Sequence, residues 1–427
     1  FHTLDTTTVP LLKKKRRQME MLSFFAVLIT ALLGSTSVIV VVEGFDTLFG
    51  GIQNAKTPLV GRVTAGPLEI SSMGCGTWSW GNRFLFDYDP SQDEEIYEAY
   101  REVRNAGVTL FDTADSYGTL DLNGRAEILL GSFERRYLDE LGISSNDIGD
   151  GNGNGENNQS SPSWWDLGRK SSSSPSNKHY KPQQVATKLA PYPWRVTRNN
   201  IVRSAEGSLR RLEQSKLSIA QLHWSTANYQ PFQEQALREG ICDVYDKGLC
   251  DAVGVSNYGP KQLFSVAEKF REREVPLAIA QVQYSLMTYN ANGGASSSSS
   301  GSTKIKMTGK DMNEACDEVG CRLISYSPLC LGLLTGKYTL KETNRLPKSP
   351  ARQQLFRELL PGAQGLLDTL EVVAQEYGKS QSQVAINWCM SKGTVPIPGG
   401  RTLQQARENL GATGWSLRPD AVLELES

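Results

Sequence analysis

Four polar residues of complementary chemistry lie at or just beyond the ends of three short apolar segments. They are Asp112, Tyr117, Lys188 and His223. A tyrosine phenol has an ordinary pKa of about 10, and a neighbouring ammonium lowers that pKa because it favours the phenolate. A carboxylate keeps the lysine charged, and a histidine beside the tyrosine can hold a carbonyl oxygen. The four residue types together predict a general acid next to an oxyanion site.

Each of these residues taken alone also has a structural explanation. An aspartate at a strand end is often a helix cap, a lysine is usually a solvated charge, and a tyrosine or histidine often serves packing. The catalytic interpretation gains its force from the occurrence of all four in three successive strands. In a (β/α)8 barrel the carboxyl ends of the strands line the mouth of the active site, so the four side chains are expected to converge there.

Short apolar runs alternate with helical patterns along the chain. The apolar runs lie at 72–77, 108–112, 184–188, 218–223, 252–255, 278–283, 322–325 and 394–397, and the helical stretches at 93–105, 124–136, 198–213, 232–247, 260–271, 308–319, 361–377 and 402–410. Eight alternations predict an α/β fold with a parallel sheet that closes into a (β/α)8 TIM barrel. Val60–Val63 and Leu68–Ile70 precede it as a predicted N-terminal β-hairpin. No GxGxxG motif follows the first strand, which disfavours a Rossmann domain.

The composition changes at three places outside this pattern. Residues 1–57 are predicted to be a targeting presequence and linker, and residues 58–427 the barrel. Residues 144–181 and 290–303 are rich in Gly, Asn and Ser and contain few large apolar residues. Such segments cannot bury enough apolar surface to fold, so both are predicted to be disordered insertions in the barrel.

The predicted presequence contains an uncharged apolar segment, Leu22–Val42, directly after the basic run at 13–17. A basic region, an apolar region and then small residues are typical of a cleaved signal peptide. The apolar segment is also long enough to cross a bilayer, so a retained endomembrane anchor is the alternative. Phe45 follows, and this order resembles the two-part presequences of algae with complex plastids. The favoured location is therefore the plastid after cleavage.

Composition restricts the partners of the chain. The net charge of −1 gives no basic footprint for nucleic acid. The seven cysteines are scattered without a CxxC pair, which predicts reduced thiols and no metal site. The predicted partner is a small molecule, with no membrane contact in the mature chain unless Leu22–Val42 is retained. Nothing in the sequence indicates an oligomeric state.

Several segments resemble the aldo/keto reductase superfamily. The spacing from Asp112 to Tyr117, followed by Gly124-Arg125-Ala126-Glu127, is similar to the first signature of that family. Lys188 and His223 match the other two members of its catalytic tetrad. The resemblance covers about residues 66–417 apart from the insertions, and it is greatest to plastid-type reductases of plants and algae.

The resemblance implies NADPH as cofactor, a hydride transfer to a carbonyl carbon, and Tyr117 as the acid that protonates the oxygen. The residues that it implies for NADPH binding fall into two groups. Ser256, Asn257, Gln281, Tyr326, Ser327 and Leu329 match the segments that hold the nicotinamide, and Arg401, Gln405, Glu408 and Asn409 match those that hold the adenosine phosphate. Arg401 is expected to meet the 2′-phosphate, because a guanidinium fork suits phosphate oxygens.

Two alternatives stay open beside a reductase of aldehydes or ketones. Potassium-channel β-subunits also resemble this family, so a regulatory barrel that binds NADPH with little catalytic role is one of them. A barrel lyase or isomerase without nicotinamide is the other, and Arg401 and the Ser256-Asn257 pair argue against it. Cys330 departs from the family pattern, which usually has Gly there, and is expected to alter loop packing near the cofactor or to add thiol sensitivity.

Overall fold

The computed structural model describes residues 60–143, 180–293, 309–339 and 346–427, and these residues form a (β/α)8 barrel behind a β-hairpin. The strands are β1 (Arg62–Ala65), β2 (Leu68–Ser71), β3 (Cys75–Gly76), β4 (Leu110–Ala114), β5 (Gln184–Leu189), β6 (Leu217–Leu222), β7 (Cys250–Ser256), β8 (Leu277–Gln283), β9 (Arg322–Tyr326) and β10 (Val395–Ile397). Strands β3 to β10 are parallel and adjacent in chain order. The backbone N–H groups of Gly74 and Gly76 donate to the carbonyl oxygens of Pro396 and Pro398, so β3 meets β10 and the barrel closes. The predicted fold class is confirmed.

Helices follow the strands and surround them. The α-helices of the described residues are α1 (Arg83–Phe86), α2 (Asp93–Asn105), α3 (Arg125–Leu141), α4 (Arg198–Leu212), α5 (Pro231–Asp246), α6 (Pro260–Glu272), α7 (Leu286–Gly293), α8 (Gly309–Val319), α9 (Pro350–Tyr377), α10 (Gln381–Ser391), α11 (Leu403–Leu410) and α12 (Pro419–Glu426). Helices α1, α7, α10 and α12 were not predicted from the sequence. Helix α10 begins at Ser380 with a capping box, in which Ser380 and Gln383 satisfy each other's backbone N–H groups.

The hairpin of β1 and β2 closes the amino-terminal end of the barrel. The hydroxyl oxygen of Ser71 accepts from the backbone N–H groups of Thr109 and Leu110, both at 3.1 Å. Arg322, at the start of β9, donates from Nε to the carbonyl oxygen of Thr64 at 3.1 Å. Ile70 on β2 is fully buried among the apolar side chains that the barrel strands direct inward. Because this end is closed, the carboxyl ends of the strands form the open face of the barrel.

The strands are apolar because most of them are buried on both faces. All five residues of β4 are buried, including the charged Asp112 at 3% exposure. Continuous apolar runs are typical of parallel strands that are covered by helices on one side and by the barrel interior on the other. A charged side chain within such a strand needs a partner, because its desolvation is otherwise too costly.

The two predicted insertions lie for the most part outside the described residues. Tyr180 and Lys181, at the end of the first, are described and packed: the Tyr180 hydroxyl donates to Glu134 at 2.8 Å, and Arg104 donates to the carbonyl oxygen of Lys181 at 2.9 Å. Residues 290–293 of the second complete helix α7. The two insertions are therefore shorter than their composition suggested.

Leu22–Val42 also lies outside the described residues. Among the residues described, no helix has the length and the hydropathy that crossing a membrane requires. All seven cysteines are buried and none is in a disulfide. Within the same described ranges, no three His, Cys, Asp or Glu side chains are grouped in a way that could hold a metal ion.

A close approach of two helices gives a test of the packing. A Cβ atom added to Gly131 on α3 would lie 2.5 Å from the carbonyl oxygen of Leu212, the last residue of α4. We expect Gly131→Ala to lower the free energy of unfolding by about 1–3 kcal/mol, because backbone on both sides has to move apart.

The matched control is Gly365→Ala within α9, where an added Cβ atom has no neighbour within 4 Å. This change should raise the free energy of unfolding by about 0.5–1 kcal/mol, because alanine favours a helix more than glycine does. Urea unfolding of both variants measures the effect. Equal effects of the two changes would contradict the close contact between α3 and α4.

Candidate active site

A buried ion pair joins the carboxyl ends of β4 and β5. Lys188 Nζ lies 2.5 Å from Asp112 Oδ2, and it also donates to the carbonyl oxygen of Thr113 at 2.9 Å. Both side chains are almost fully buried. The other oxygen of Asp112 accepts from Gln281 Nε2 at 2.6 Å and from Gln221 Nε2 at 3.4 Å. The ammonium and both carboxylate oxygens of the pair thus have hydrogen-bond partners, as a desolvated ion pair requires.

Asp112 offsets part of the cost of burying the Lys188 ammonium. Desolvation lowers the pKa of Lys188 from its ordinary 10.5, and the charge and hydrogen bond of Asp112 oppose that lowering. Asp112 therefore favours the charged form of the lysine, as the sequence suggested.

Tyr117 follows β4 and lies over this pair. Lys188 Nζ is 4.9 Å from the centre of the Tyr117 ring, and the His223 ring is 5.8 Å away at an angle of 71° between the planes. Two of the other three predicted catalytic side chains, Lys188 and His223, therefore lie beside the phenol, with Asp112 behind Lys188.

The expected lowering of the Tyr117 pKa by Lys188 is wrong for this arrangement. Burial raises the pKa of Tyr117 well above its ordinary 10, and the charges of Asp112 and Tyr326 raise it further. The ammonium of Lys188 is directed at Asp112 and at the carbonyl oxygen of Thr113, so it does not offset the desolvation of the phenol. The phenol stays protonated at neutral pH, which is the form that a general acid needs.

His223 follows β6 and is electrically neutral. Burial, and then the positive charges of Lys188 and Arg195, lower the pKa of His223 well below 6.5. A neutral imidazole carries one donor and one acceptor nitrogen. The Nδ1 atom lies 3.4 Å from the hydroxyl oxygen of Ser116.

A second ion pair, with a buried carboxylate and a half-buried guanidinium, joins the loops after β4 and β5 and was missed by the sequence analysis. Arg195 Nη1 lies 2.5 Å from Asp115 Oδ2 and 2.6 Å from the carbonyl oxygen of Ala190. The other oxygen of Asp115 accepts from the backbone N–H of Ala190 at 3.1 Å. Two acidic residues three positions apart, directly before Tyr117, were the available signal.

Four of the predicted nicotinamide-binding residues are brought together beside this cluster. The Asn257 side chain donates to the carbonyl oxygen of His223 at 3.0 Å and to the Ser256 hydroxyl at 3.1 Å. The Tyr326 hydroxyl donates to Asn257 Oδ1 at 2.8 Å. Asn257 has a φ of +58°, a left-handed conformation that asparagine tolerates better than most residues. Gln281 uses its amide N–H on Asp112, as described above.

Ser327 and Leu329 follow β9 in a tightly turned segment. Ser327 has a φ of +52°, and the left-handed conformation recurs at Cys330 and Leu331. Gly is usual at position 330 in the family resembled, and the φ of +48° explains that preference. Burial raises the pKa of the Cys330 thiol to about 12, so the thiol stays protonated and unreactive near neutral pH. The expected change in loop packing therefore has a backbone cause, and the expected thiol sensitivity does not follow.

Arg401 lies just before α11, where Gln405 and Asn409 order the backbone. Gln405 Oε1 accepts from the backbone N–H of Arg401 at 2.9 Å, and Asn409 donates to the carbonyl oxygen of Gly399 at 3.2 Å. Glu408 is not brought to this group, because its carboxylate accepts a hydrogen bond from Ser380 at the start of α10.

A second guanidinium, that of Arg352, accompanies Arg401. The two guanidinium carbons lie 5.5 Å and 5.9 Å from the centre of the same Phe86 ring. Burial lowers the pKa of Arg401, and the charge of Arg352 lowers it further. In the described part of the chain, Nε of Arg352 is buried without a hydrogen-bond partner. Two neighbouring cations, one of which has a buried N–H without a partner among the described residues, are suited to bind an anion. Sequence reasoning missed Arg352, because it follows a segment with no recognisable motif.

Aromatic side chains line the mouth beside Tyr117. The Trp78 ring lies 6.5 Å from that of Tyr117, and the Trp224 ring 4.9 Å from that of His223. Trp194 stacks on Tyr192 at 4.8 Å and 10°, yet it stays 69% exposed. An exposed flat ring at a site of this kind offers a surface on which a planar substrate can stack.

Comparisons with known proteins agree with this geometry. The sequence model of the aldo/keto reductase family matches residues 72–427. The chain is 43% identical over 365 residues to a protein of Arabidopsis thaliana named "Pyridoxal reductase, chloroplastic", covering 86% of this chain and 85% of that protein. Among solved structures, the glycerol dehydrogenase of Gluconobacter oxydans has a TM-score of 0.60 at 21% identity and covers 87% of this chain and 94% of that one. The aldo-keto reductase of Bombyx mori in complex with NADP has a TM-score of 0.55 at 16% identity and covers 86% and 92% of the two chains.

Proposed function

Because the chain belongs to the aldo/keto reductase family, we propose that it is an NADPH-dependent oxidoreductase that reduces an aldehyde or a ketone to an alcohol. The observation that carries the proposal is the convergence of Asp112, Lys188, Tyr117 and His223 at the open face of the barrel. A protonated phenol beside a neutral imidazole is suited to hold a carbonyl oxygen and to protonate it.

The residues at the barrel mouth fit NADPH as the cofactor. Ser256, Asn257, Gln281 and Tyr326 offer amide and hydroxyl groups beside Tyr117, where a nicotinamide carboxamide would bind. Arg401 and Arg352 form a paired cationic site at the other end, which suits the 2′-phosphate. Bound NADPH supplies the hydride, and the Bombyx mori neighbour was solved with NADP.

Catalysis by this chain then depends on the two groups that face the carbonyl oxygen. The charge that develops on that oxygen is stabilised by hydrogen bonds from His223 and from the Tyr117 phenol. The phenol proton passes to the oxygen, and the nearby Lys188 ammonium stabilises the phenolate that is left behind. Asp112 keeps Lys188 charged and fixed during this step, because it holds the ammonium at 2.5 Å.

The aromatic mouth favours a planar ring as part of the substrate. Tyr192, Trp194 and Trp224 can stack on such a ring. The Arabidopsis relative is named for pyridoxal, a heteroaromatic aldehyde. We therefore propose pyridoxal as the first substrate to be tested, among a panel of aromatic and aliphatic aldehydes.

The proposed location is the plastid, after removal of the presequence at 1–57. The Arabidopsis relative is named chloroplastic, and the apolar Leu22–Val42 followed by Phe45 fits a two-part presequence. Amino-terminal sequencing of the protein isolated from its native cell is expected to begin after Val42. A start upstream of Leu22 in the mature protein would instead favour the retained anchor.

Replacing the proposed acid tests the mechanism. Tyr117→Phe should lower kcat by about 10²–10⁴-fold, the usual contribution of a general acid, because no proton donor remains at the carbonyl oxygen. The affinity for NADPH, measured by fluorescence titration, should hardly change. Steady-state oxidation of NADPH with the aldehyde panel gives kcat.

Full activity of this variant would show that another group supplies the proton. Failure of the unaltered protein to reduce any carbonyl, with NADPH bound, would favour the regulatory barrel that resembles potassium-channel β-subunits.

Replacing Arg401 tests the cofactor assignment. Arg401→Ala should weaken the binding of NADPH by about 10-fold or more and that of NADH much less, because only NADPH carries the 2′-phosphate and a charge-assisted hydrogen bond contributes about 1.5–3 kcal/mol. The dissociation constants of both cofactors, measured by fluorescence titration, decide the point.

Arg407→Ala is the matched control, because Arg407 lies on α11, the helix that follows Arg401, and is exposed and paired with Glu102. It should leave both affinities unchanged. An equal loss for NADPH and NADH in Arg401→Ala would mean that Arg401 does not contact the phosphate.

A further inference from the structure

The residue before the proposed acid contacts the other proposed catalytic ring. Ser116 immediately precedes Tyr117 in the loop after β4. Its hydroxyl oxygen lies 3.4 Å from Nδ1 of His223, across the barrel mouth in the loop after β6. Within the described part of the chain this is the one hydrogen bond of the His223 ring, so Nε2 is free of protein partners.

The protonation state of His223 determines what this contact can be. The ring is neutral, because burial and two nearby cations disfavour the imidazolium. In a neutral imidazole one nitrogen carries the proton and the other accepts, and the partner of one nitrogen decides which. A hydroxyl can fill either role, so the direction of the contact depends on what the opposite nitrogen, Nε2, does.

The role proposed for His223 decides the direction. A neutral ring that donates to a carbonyl oxygen from Nε2 carries its one proton there, so Nδ1 has to be the acceptor. The Ser116 hydroxyl is the group that lies within hydrogen-bond distance of Nδ1, so it is the donor.

The backbone around Ser116 is fixed from both sides. Asp115 is bound by Arg195 and by the backbone N–H of Ala190, and its own backbone N–H donates to the carbonyl oxygen of Lys188 at 2.9 Å. The backbone N–H of Tyr117 donates to the carbonyl oxygen of Ala114 at 3.1 Å. The backbone of Ser116 is therefore held in place between two anchored neighbours.

We propose that Ser116 is a positioning residue that donates to Nδ1 of His223 and keeps the proton of the neutral ring on Nε2. Nε2 is then the nitrogen that donates to the carbonyl oxygen of the substrate. The proposal rests on the proposed function of His223 in holding that oxygen. With the opposite tautomer, Nε2 would be an acceptor and would repel the developing negative charge.

The tautomer can be measured directly, because the chain has only three histidines. The full chain is labelled with ¹⁵N-histidine, and the two ring nitrogens are observed by long-range ¹H–¹⁵N correlation at a pH near 7.5. The resonances that disappear in His223→Gln belong to His223, and those that remain belong to His2 and His179. The expected result is a protonated Nε2 and an unprotonated Nδ1 in the unaltered protein.

Ser116→Ala should shift the tautomer population of His223 toward a protonated Nδ1, whereas Ser116→Thr should keep the original pattern because it retains a hydroxyl. Ser225→Ala is the matched control. Ser225 lies two residues after His223 and accepts from the backbone N–H of Ala227, so its removal should leave the ring unchanged. Circular dichroism and thermal unfolding check that each variant is folded.

The kinetic effect should follow the tautomer. Ser116→Ala should lower kcat by roughly 3- to 10-fold, which corresponds to the loss of one neutral hydrogen bond, with KM nearly unchanged because the donor acts on the transition state. Ser116→Thr should restore most of kcat.

Three outcomes overturn the assignment. They are a ring proton on Nδ1 in the unaltered protein, an unchanged tautomer in Ser116→Ala, and an unchanged kcat in a variant whose tautomer has shifted. If the unaltered protein reduces no carbonyl, the proposed function fails, and the tautomer measurement still decides the contact of Ser116.

Discussion

The buried ion pair of Asp112 and Lys188 is the constraint on which the rest of the site depends. Two charges removed from water are tolerated only when every polar atom finds a partner, and here the partners come from four different strands or their ends. Thr113 extends the strand that carries Asp112, while Gln221 and Gln281 reach in from β6 and β8. The pair therefore fixes the relative positions of four strands at the open face, which is where Tyr117 and His223 are attached.

This dependence also explains how the electrostatics of the site are divided. The carboxylate of Asp112 holds the ammonium of Lys188, so most of the attraction of the lysine acts on the aspartate and little of it on the phenol. The phenol consequently stays protonated and the imidazole stays neutral, both because burial disfavours their charged forms. The Lys188 ammonium lies 4.9 Å from the centre of the Tyr117 ring. Its remaining attraction acts on negative charge that develops on the phenol, but it does not outweigh the cost of burying that charge.

The sequence predicted the barrel correctly, and the four polar residues that it singled out lie together at the open face, because both features leave local signals. Apolar runs alternate with amphipathic helices, and polar residues mark strand ends. Helix α10 left no such signal, because nearly every residue from Ser382 to Cys389 is buried and no polar face appears in the pattern. Ser116 and Arg352 were missed for a different reason. Ser116 matters because it contacts His223, more than a hundred positions away in the chain. Arg352 matters because it lies over the same Phe86 ring as Arg401. Neither contact can be inferred from the spacing of residues in the sequence. The predicted direction of the Tyr117 pKa shift was wrong for a similar reason, since the burial of a side chain cannot be inferred from its residue type alone.

The anchoring of the loops explains how side chains on loops can be positioned accurately in this barrel. Asp115 and Arg195 join the loop that carries Ser116 and Tyr117 to the loop that carries Tyr192. Their ion pair has a buried carboxylate and its own backbone contacts. Breaking such a pair from one side leaves a buried charge without a partner, so the two loops cannot separate without a large cost in free energy. The proposed acid Tyr117, its neighbour Ser116 and the stacked rings of Tyr192 and Trp194 are therefore positioned together. A barrel whose strand ends are joined by one ion pair and whose loops are joined by a second can hold the proposed proton donor beside the proposed oxyanion site, while Trp194 stays exposed at the outer rim of the mouth.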